Sequence, residues 1–93
     1  MLKFGDEVIW LSQGGGYTST KIGTVAATVP AGVDPKALHF LKAGDGASWP
    51  RMFDGGPRTE LSYLVLVFVE KTSGLSPVLY WPRTRNLRIA NTE

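Results

Sequence analysis

The sequence contains no cysteine and a single histidine, His39, in 93 residues. The first absence excludes a disulfide framework, a thiolate nucleophile and a Cys-based zinc site. The second excludes His-pair metal sites and leaves any Ser–His–Asp arrangement one candidate base. Long apolar runs are also missing. The longest, Leu61 to Val69, is about half of the ~20 residues that a helical membrane span needs. The N-terminus, Met1-Leu2-Lys3-Phe4-Gly5-Asp6-Glu7, lacks the apolar core of a secretory signal. Charge of one sign is scarce: ten Lys+Arg against eight Asp+Glu leave +2, well short of an obvious nucleic-acid footprint. Eleven Gly and six Pro break nearly every window long enough for a helix. A 43% hydrophobic and 11% aromatic composition argues against disorder. The expectation is one soluble, cytoplasmic domain over residues 1–93, with no membrane partner, no metal and no cofactor.

What is present reads as strands. Asp6 to Ser12 (Asp-Glu-Val-Ile-Trp-Leu-Ser) is rich in β-branched and aromatic residues, and Thr20 to Val29 carries Ile22, Val25 and Val29. The triplet Gly14-Gly15-Gly16 separates the two and opens a loop through Ser19. Pro30, Gly32 and Pro35 end the second strand, because proline cannot donate to a ladder. From Lys36 to Pro57 the pattern is irregular, which in so small a domain marks either a functional or a disordered segment, and the functional reading is the expectation. Leu61 to Val69 is the clearest strand, apolar at nearly every position, so both of its faces are expected to be covered. Lys71-Thr72-Ser73-Gly74 supplies hairpin chemistry. Val78 to Trp81 returns, residues 83–86 fit a tight turn, and Leu87 to Ala90 is a last short strand. The expected core is Val8, Trp10, Ile22, Val25, Val29, Tyr63, Val65, Val67, Leu79, Trp81, Leu87 and Ile89.

This order of five short strands, with a glycine-bearing first loop, a hairpin and a tight turn before the last strand, resembles a small SH3-like barrel. Phe4-Gly5-Asp6-Glu7-Val8-Ile9-Trp10 followed by Lys21-Ile22-Gly23-Thr24-Val25 is similar to the opening of a KOW-type module. There a Gly-Asp turn leads into strand one, and Gly23 would allow the bend or bulge a small barrel needs. The resemblance implies an all-β, five-stranded SH3-like barrel with a long insertion, about residues 30–60, between strands two and three. Thr28-Val29-Pro30-Ala31-Gly32, Ser62-Tyr63-Leu64-Val65 and Tyr80-Trp81-Pro82-Arg83, together with the N-terminal Gly-Asp-x-Val, resemble small uncharacterised proteins of phages and mobile elements. That likeness implies a bacterial host cytoplasm and a protein that binds and inhibits a host component, defence systems included.

Four stretches carry candidate chemistry. Trp49-Pro50-Arg51-Met52-Phe53 sets Trp49, Arg51, Met52 and Phe53, types enriched at protein interfaces, in a Pro- and Gly-rich loop. It reads either as a protein-binding loop or as a lid over the barrel. Gly15, Gly16, Tyr17 and Lys21, with three hydroxyls between them, read either as a phosphate cradle or as a hairpin tip. The spacing fails the Walker pattern. Arg83, Arg85 and Arg88 concentrate the basic excess near the C-terminus, either as an anion site or as solvated side chains. Tyr80 and Trp81 read as base-stacking or as packing residues. His39, with Ser48 or Ser62 as hydroxyl partners, and the carboxylates Asp45, Asp54 and Glu60 show no catalytic or metal-ligand spacing.

The expected function is therefore non-enzymatic binding. A protein partner engaged through Trp49, Arg51, Met52 and Phe53 leads. A nucleic acid or nucleotide held by Gly15, Gly16, Tyr17, Lys21, Arg83, Arg85 and Arg88 is the alternative. The apolar Leu61–Val69 strand leaves a homo-oligomer open.

Overall fold

Alternating β-branched residues and glycine-set turns build a single antiparallel meander with short additions at each edge. The computed structural model describes residues 2–14, 16–38, 51–53 and 56–90. Strand β1 (Glu7–Gly14) pairs with β2 (Tyr17–Val29). A two-residue strand, β3 (Arg51–Met52), follows. Then come β4 (Ser62–Lys71), β5 (Gly74–Tyr80) and the short β6 (Arg88–Ile89). The order across the sheet is β3-β5-β4-β2-β1-β6. Every pairing is antiparallel except that of β3, which runs parallel to β5. The all-β class thus holds. Among the described residues there are six strands, not the expected five, and β3 and β6 end the sheet without pairing to each other.

Turn chemistry fixes the register. Gly5, with φ of 90°, sits in a turn where the Asp6 amide donates to the Lys3 carbonyl and the Lys3 amide donates to the Asp6 carboxylate. No L-residue enters that region of φ without strain. Thr72 and Ser73 connect Lys71 to Gly74, and Gly74 at φ 114° supplies the turn's left-handed residue. The first hairpin is tighter than expected. Gly14 pairs with Tyr17, so Tyr17, Thr18 and Ser19 join the ladder instead of a loop.

The start of β4, Ser62–Val65, is buried on both faces, because successive side chains of a strand point to opposite sides. Further along Phe68 is 59% exposed, so the expected cover does not extend over the whole run. Tyr63 and Val65 enter one buried cluster with Val8, Trp10 and Val25, edged by Leu2, Leu61, Val67, Tyr80 and Leu87. Leu64 enters a second cluster with Val29, Leu79 and Trp81. Val33, Leu38 and Phe53, all from the 30–60 segment, pack on that second cluster. These three residues of the insertion therefore lie against one face of β4 and β5. Asp34 caps its short 3₁₀ turn at Pro35–Ala37, its carboxylate accepting from the Lys36 amide.

Four core assignments change. Ile22 and Ile89 are about half exposed, and Leu64 and Val78 are buried instead. On β2 the inward position belongs to Gly23, next to Ile22 and of opposite parity. A Cβ there would lie 2.5 Å from the Leu66 carbonyl oxygen and 2.7 Å from a Val65 methyl. Gly23 thus permits close approach of β2 to β4. The irregularity it was expected to host comes later, where the register shifts between Val25 and Ala27.

Candidate functional site

Alternation along β1 sends Val8 and Trp10 into the core and Ile9 and Leu11 to the other face of the sheet. Across the ladder Ile9 faces Ile22 on β2 and Arg88 on β6, while Leu11 faces Thr20. Residues directly opposite in such a ladder have Cβ atoms within about 4.5–5.5 Å. The outer face of β2, β1 and β6 therefore carries a row Ile22–Ile9–Arg88 beside the pair Leu11–Thr20. Leu11 is 62% exposed and Ile22 52%.

The chain then folds back to wall this face. A 3₁₀ turn at Thr84–Asn86 precedes β6, closed by amides of Asn86 and Leu87 donating to the carbonyls of Arg83 and Thr84. Its first hydroxyl, Thr84 Oγ1, donates to the Leu61 carbonyl at 2.9 Å, and Leu87 packs on the first core cluster. With those two residues facing the sheet, Arg85 and Asn86 border a groove of about 620 Å³ lined by Ile9, Trp10, Leu11, Thr20, Arg85, Asn86 and Arg88. That volume falls within the ~300–1,000 Å³ of ligand pockets. Arg85 and Arg88 are exposed, and among the described residues neither guanidinium has an ion pair or a side-chain hydrogen bond. Two cations border an aliphatic floor.

The 49–53 stretch is arranged differently. Trp49 lies outside the described residues, as do His39, Ser48, Asp45, Asp54 and Gly15. Arg51 and Met52 form β3 against Leu79 and Tyr80. Phe53, expected as an exposed binding residue, is half-buried, its ring 6.1 Å from that of Trp81 in an edge-on contact. Phe53 packs on the second core cluster, beside Val33 and Leu38.

Trp81 is the hub of that region. Its Nε1 donates to Ser62 Oγ at 2.7 Å, and the Arg58 guanidinium lies 3.9 Å over its ring. Arg58 also donates to the carbonyls of Trp81 and Pro82. Ser62 is fully buried, so the hydroxyl weighed as a partner for His39 is a structural acceptor. Tyr80 faces the other way, edge-on to Trp10 at 5.9 Å with Lys21 Nζ 5.2 Å from its ring centroid. Trp81, 3% exposed, presents no free face for base stacking, and Tyr80 is half-buried in these contacts.

The alternative nucleotide set does not converge. Lys21 is opposite Trp10 and turned towards Tyr80, on the face opposite the groove. Tyr17 is 80% exposed at the hairpin tip beside Gly16, and the hydroxyls of Thr18, Ser19 and Thr20 alternate between faces. Only Arg85 and Arg88 of that set meet in the groove. Ile9, Leu11, Thr20 and Asn86 were missed from sequence. The signal for Ile9 and Leu11 was their parity, opposite to Val8 and Trp10. Among the described residues no helix is long and apolar enough to cross a membrane. Compared with models of protein families, with curated proteins and with solved structures, the chain matches none.

Proposed function

We propose that this chain is a non-enzymatic binding module that engages a protein partner through the outer face of β2, β1 and β6. One observation carries the reading: Leu11 and Ile22 stand more than half exposed on the face that Arg85 and Arg88 border, two cations without partners among the described residues. Exposed aliphatic side chains rimmed by arginine are the composition of an interface, with the apolar part driving association and the charges setting partner choice. The resemblance to small phage-borne proteins makes a host protein, defence components included, the expected kind of partner. An SH3-like ancestry is part of the proposal. Its support is the strand order β5-β4-β2-β1-β6 with a 3₁₀ turn before the last strand.

The experiment is a pull-down from nuclease-treated bacterial lysate with the tagged chain and its Leu11→Glu/Ile22→Glu variant. The proposal expects a protein recovered by the parent and lost by the variant, with the variant's circular dichroism unchanged. Recovery by both, or recovery only without nuclease, overturns it. The second outcome favours a nucleic acid held by Arg83, Arg85 and Arg88.

A further inference from the structure

We infer that the groove between β1 and the Thr84–Asn86 turn takes a short acidic peptide segment, its aliphatic side chains on Ile9 and Leu11 and its carboxylates on Arg85 and Arg88. The inference rests on the reading of this face as the partner surface and names the chemistry of what it holds.

The floor decides between ligand classes. Nucleobases are bound without sequence preference by aromatic platforms, supported by cations that follow the phosphates. Here the outward residues of β1 that line the groove are Ile9 and Leu11, and among the described residues the only aromatic lining it, Trp10, is 6% exposed. The exposed aromatics Phe4, Tyr17 and Phe68 belong to other parts of the chain. An aliphatic floor offers a base no stacking face, but it accepts Leu, Ile or Val side chains by area burial.

The rim sets the charge. Arginine's planar fork matches a carboxylate through two parallel hydrogen bonds. Arg88 stands opposite Ile9 in the ladder, so a carboxylate beside an aliphatic side chain resting on Ile9 is within its reach. Arg85, three residues earlier on the turn, supplies a second fork on the same flank. Glu7, which precedes Ile9 at the same parity on β1, lies beyond the Ile9–Arg88 pair and does not line the groove. Among the described residues the groove therefore presents only positive charge from ionised side chains. Ile9 and Leu11 are two residues apart, about 6.6–6.8 Å along the strand, the same repeat as alternate side chains of an extended peptide.

The test uses the full chain, ¹⁵N-labelled, titrated with a capped hexapeptide of alternating leucine and glutamate. Parallel titrations use the same peptide with lysine for glutamate, and an eight-nucleotide oligothymidine. The expected result is saturable shifts of the Ile9, Leu11, Thr20 and Arg88 amides with the glutamate peptide alone, weakened at least tenfold in Arg85→Ala/Arg88→Ala. Unmoved Val8 and Val25 amides in that variant report an intact fold. No saturable shift with the glutamate peptide, equal shifts with the lysine peptide, undiminished binding by the double variant, or groove shifts with the oligonucleotide each overturns the inference. If the peptide fails while the pull-down partner is still lost on Leu11→Glu/Ile22→Glu, the ligand class is wrong and the surface stands. If the variant keeps the partner, the surface itself is wrong.

Discussion

The Arg58 guanidinium lies 3.9 Å over the ring of Trp81 and donates, at 2.6 and 2.8 Å, to the carbonyl oxygens of Trp81 and of Pro82. One side chain from the insertion thus holds both the face of the indole and the backbone that leaves β5. The Arg58 carbonyl also accepts from the Gly32 amide at 2.7 Å, tying the two ends of the insertion together.

Arg58→Met should therefore cost about 2–3 kcal/mol. Hydrogen bonds from a charged donor contribute ~1.5–3 kcal/mol, and a partly desolvated cation–π contact ~0.5–2. Arg58→Lys should recover less than half of that loss, since an ammonium cannot stack and fork at once. Urea midpoints for the three proteins check it. A lysine variant as stable as the parent would mean that charge alone acts at this position.

Ser62→Ala should destabilise by about 1–3 kcal/mol, because it strands the buried Nε1–H of Trp81 without an acceptor. Trp81→Phe removes that donor, so the double variant should cost less than the sum of the two single ones. A double-mutant cycle by chemical denaturation reads the coupling directly. A coupling of zero would show that the 2.7 Å bond contributes nothing to stability.

Gly23→Ala should be the most damaging glycine change in the chain's strands. Its methyl would sit within 3 Å of the Leu66 carbonyl and of two valine methyls, one of those contacts being backbone. Overpacking of that kind costs typically ~1–3 kcal/mol or more. Gly56→Ala, with open space around it and no positive φ, should be neutral within about 0.5 kcal/mol. Thermal melts of the pair decide it, and equal melting temperatures would refute the close approach of β2 to β4.

Phe53→Ala should lower stability by about 1–3 kcal/mol, part of the ~3–5 seen for a fully buried phenylalanine, because its ring covers Trp81. Partner recovery in the pull-down should survive the change at temperatures where the variant is folded. Loss of recovery from a folded variant would return the binding site to the 49–53 loop.

The sequence by itself determined the all-β class, the positions of β1, β2, β4 and β5, and most of the core. Those signals are local: β-branched residues, parity, and glycines where φ must be positive. The expectation from sequence that the Leu61–Val69 strand is covered on both faces holds for the two faces of Ser62–Val65 and not for Phe68, which is 59% exposed. Only the tertiary structure decided what covers those two faces. Val33, Leu38 and Phe53 reach the outer face of β4 and β5 across long sequence separations, and no local pattern encodes that contact. The same holds for Ile22, whose parity on β2 is set by Gly23 pressing against β4. Register with β1 then places it beside Ile9 on the outer face. The groove is the clearest case. Arg85 and Arg88 are separated from Ile9 and Leu11 by more than seventy residues of chain. Their meeting depends on one 3₁₀ turn pinned by Thr84 and Leu87, and on β6 returning to the free edge of β1.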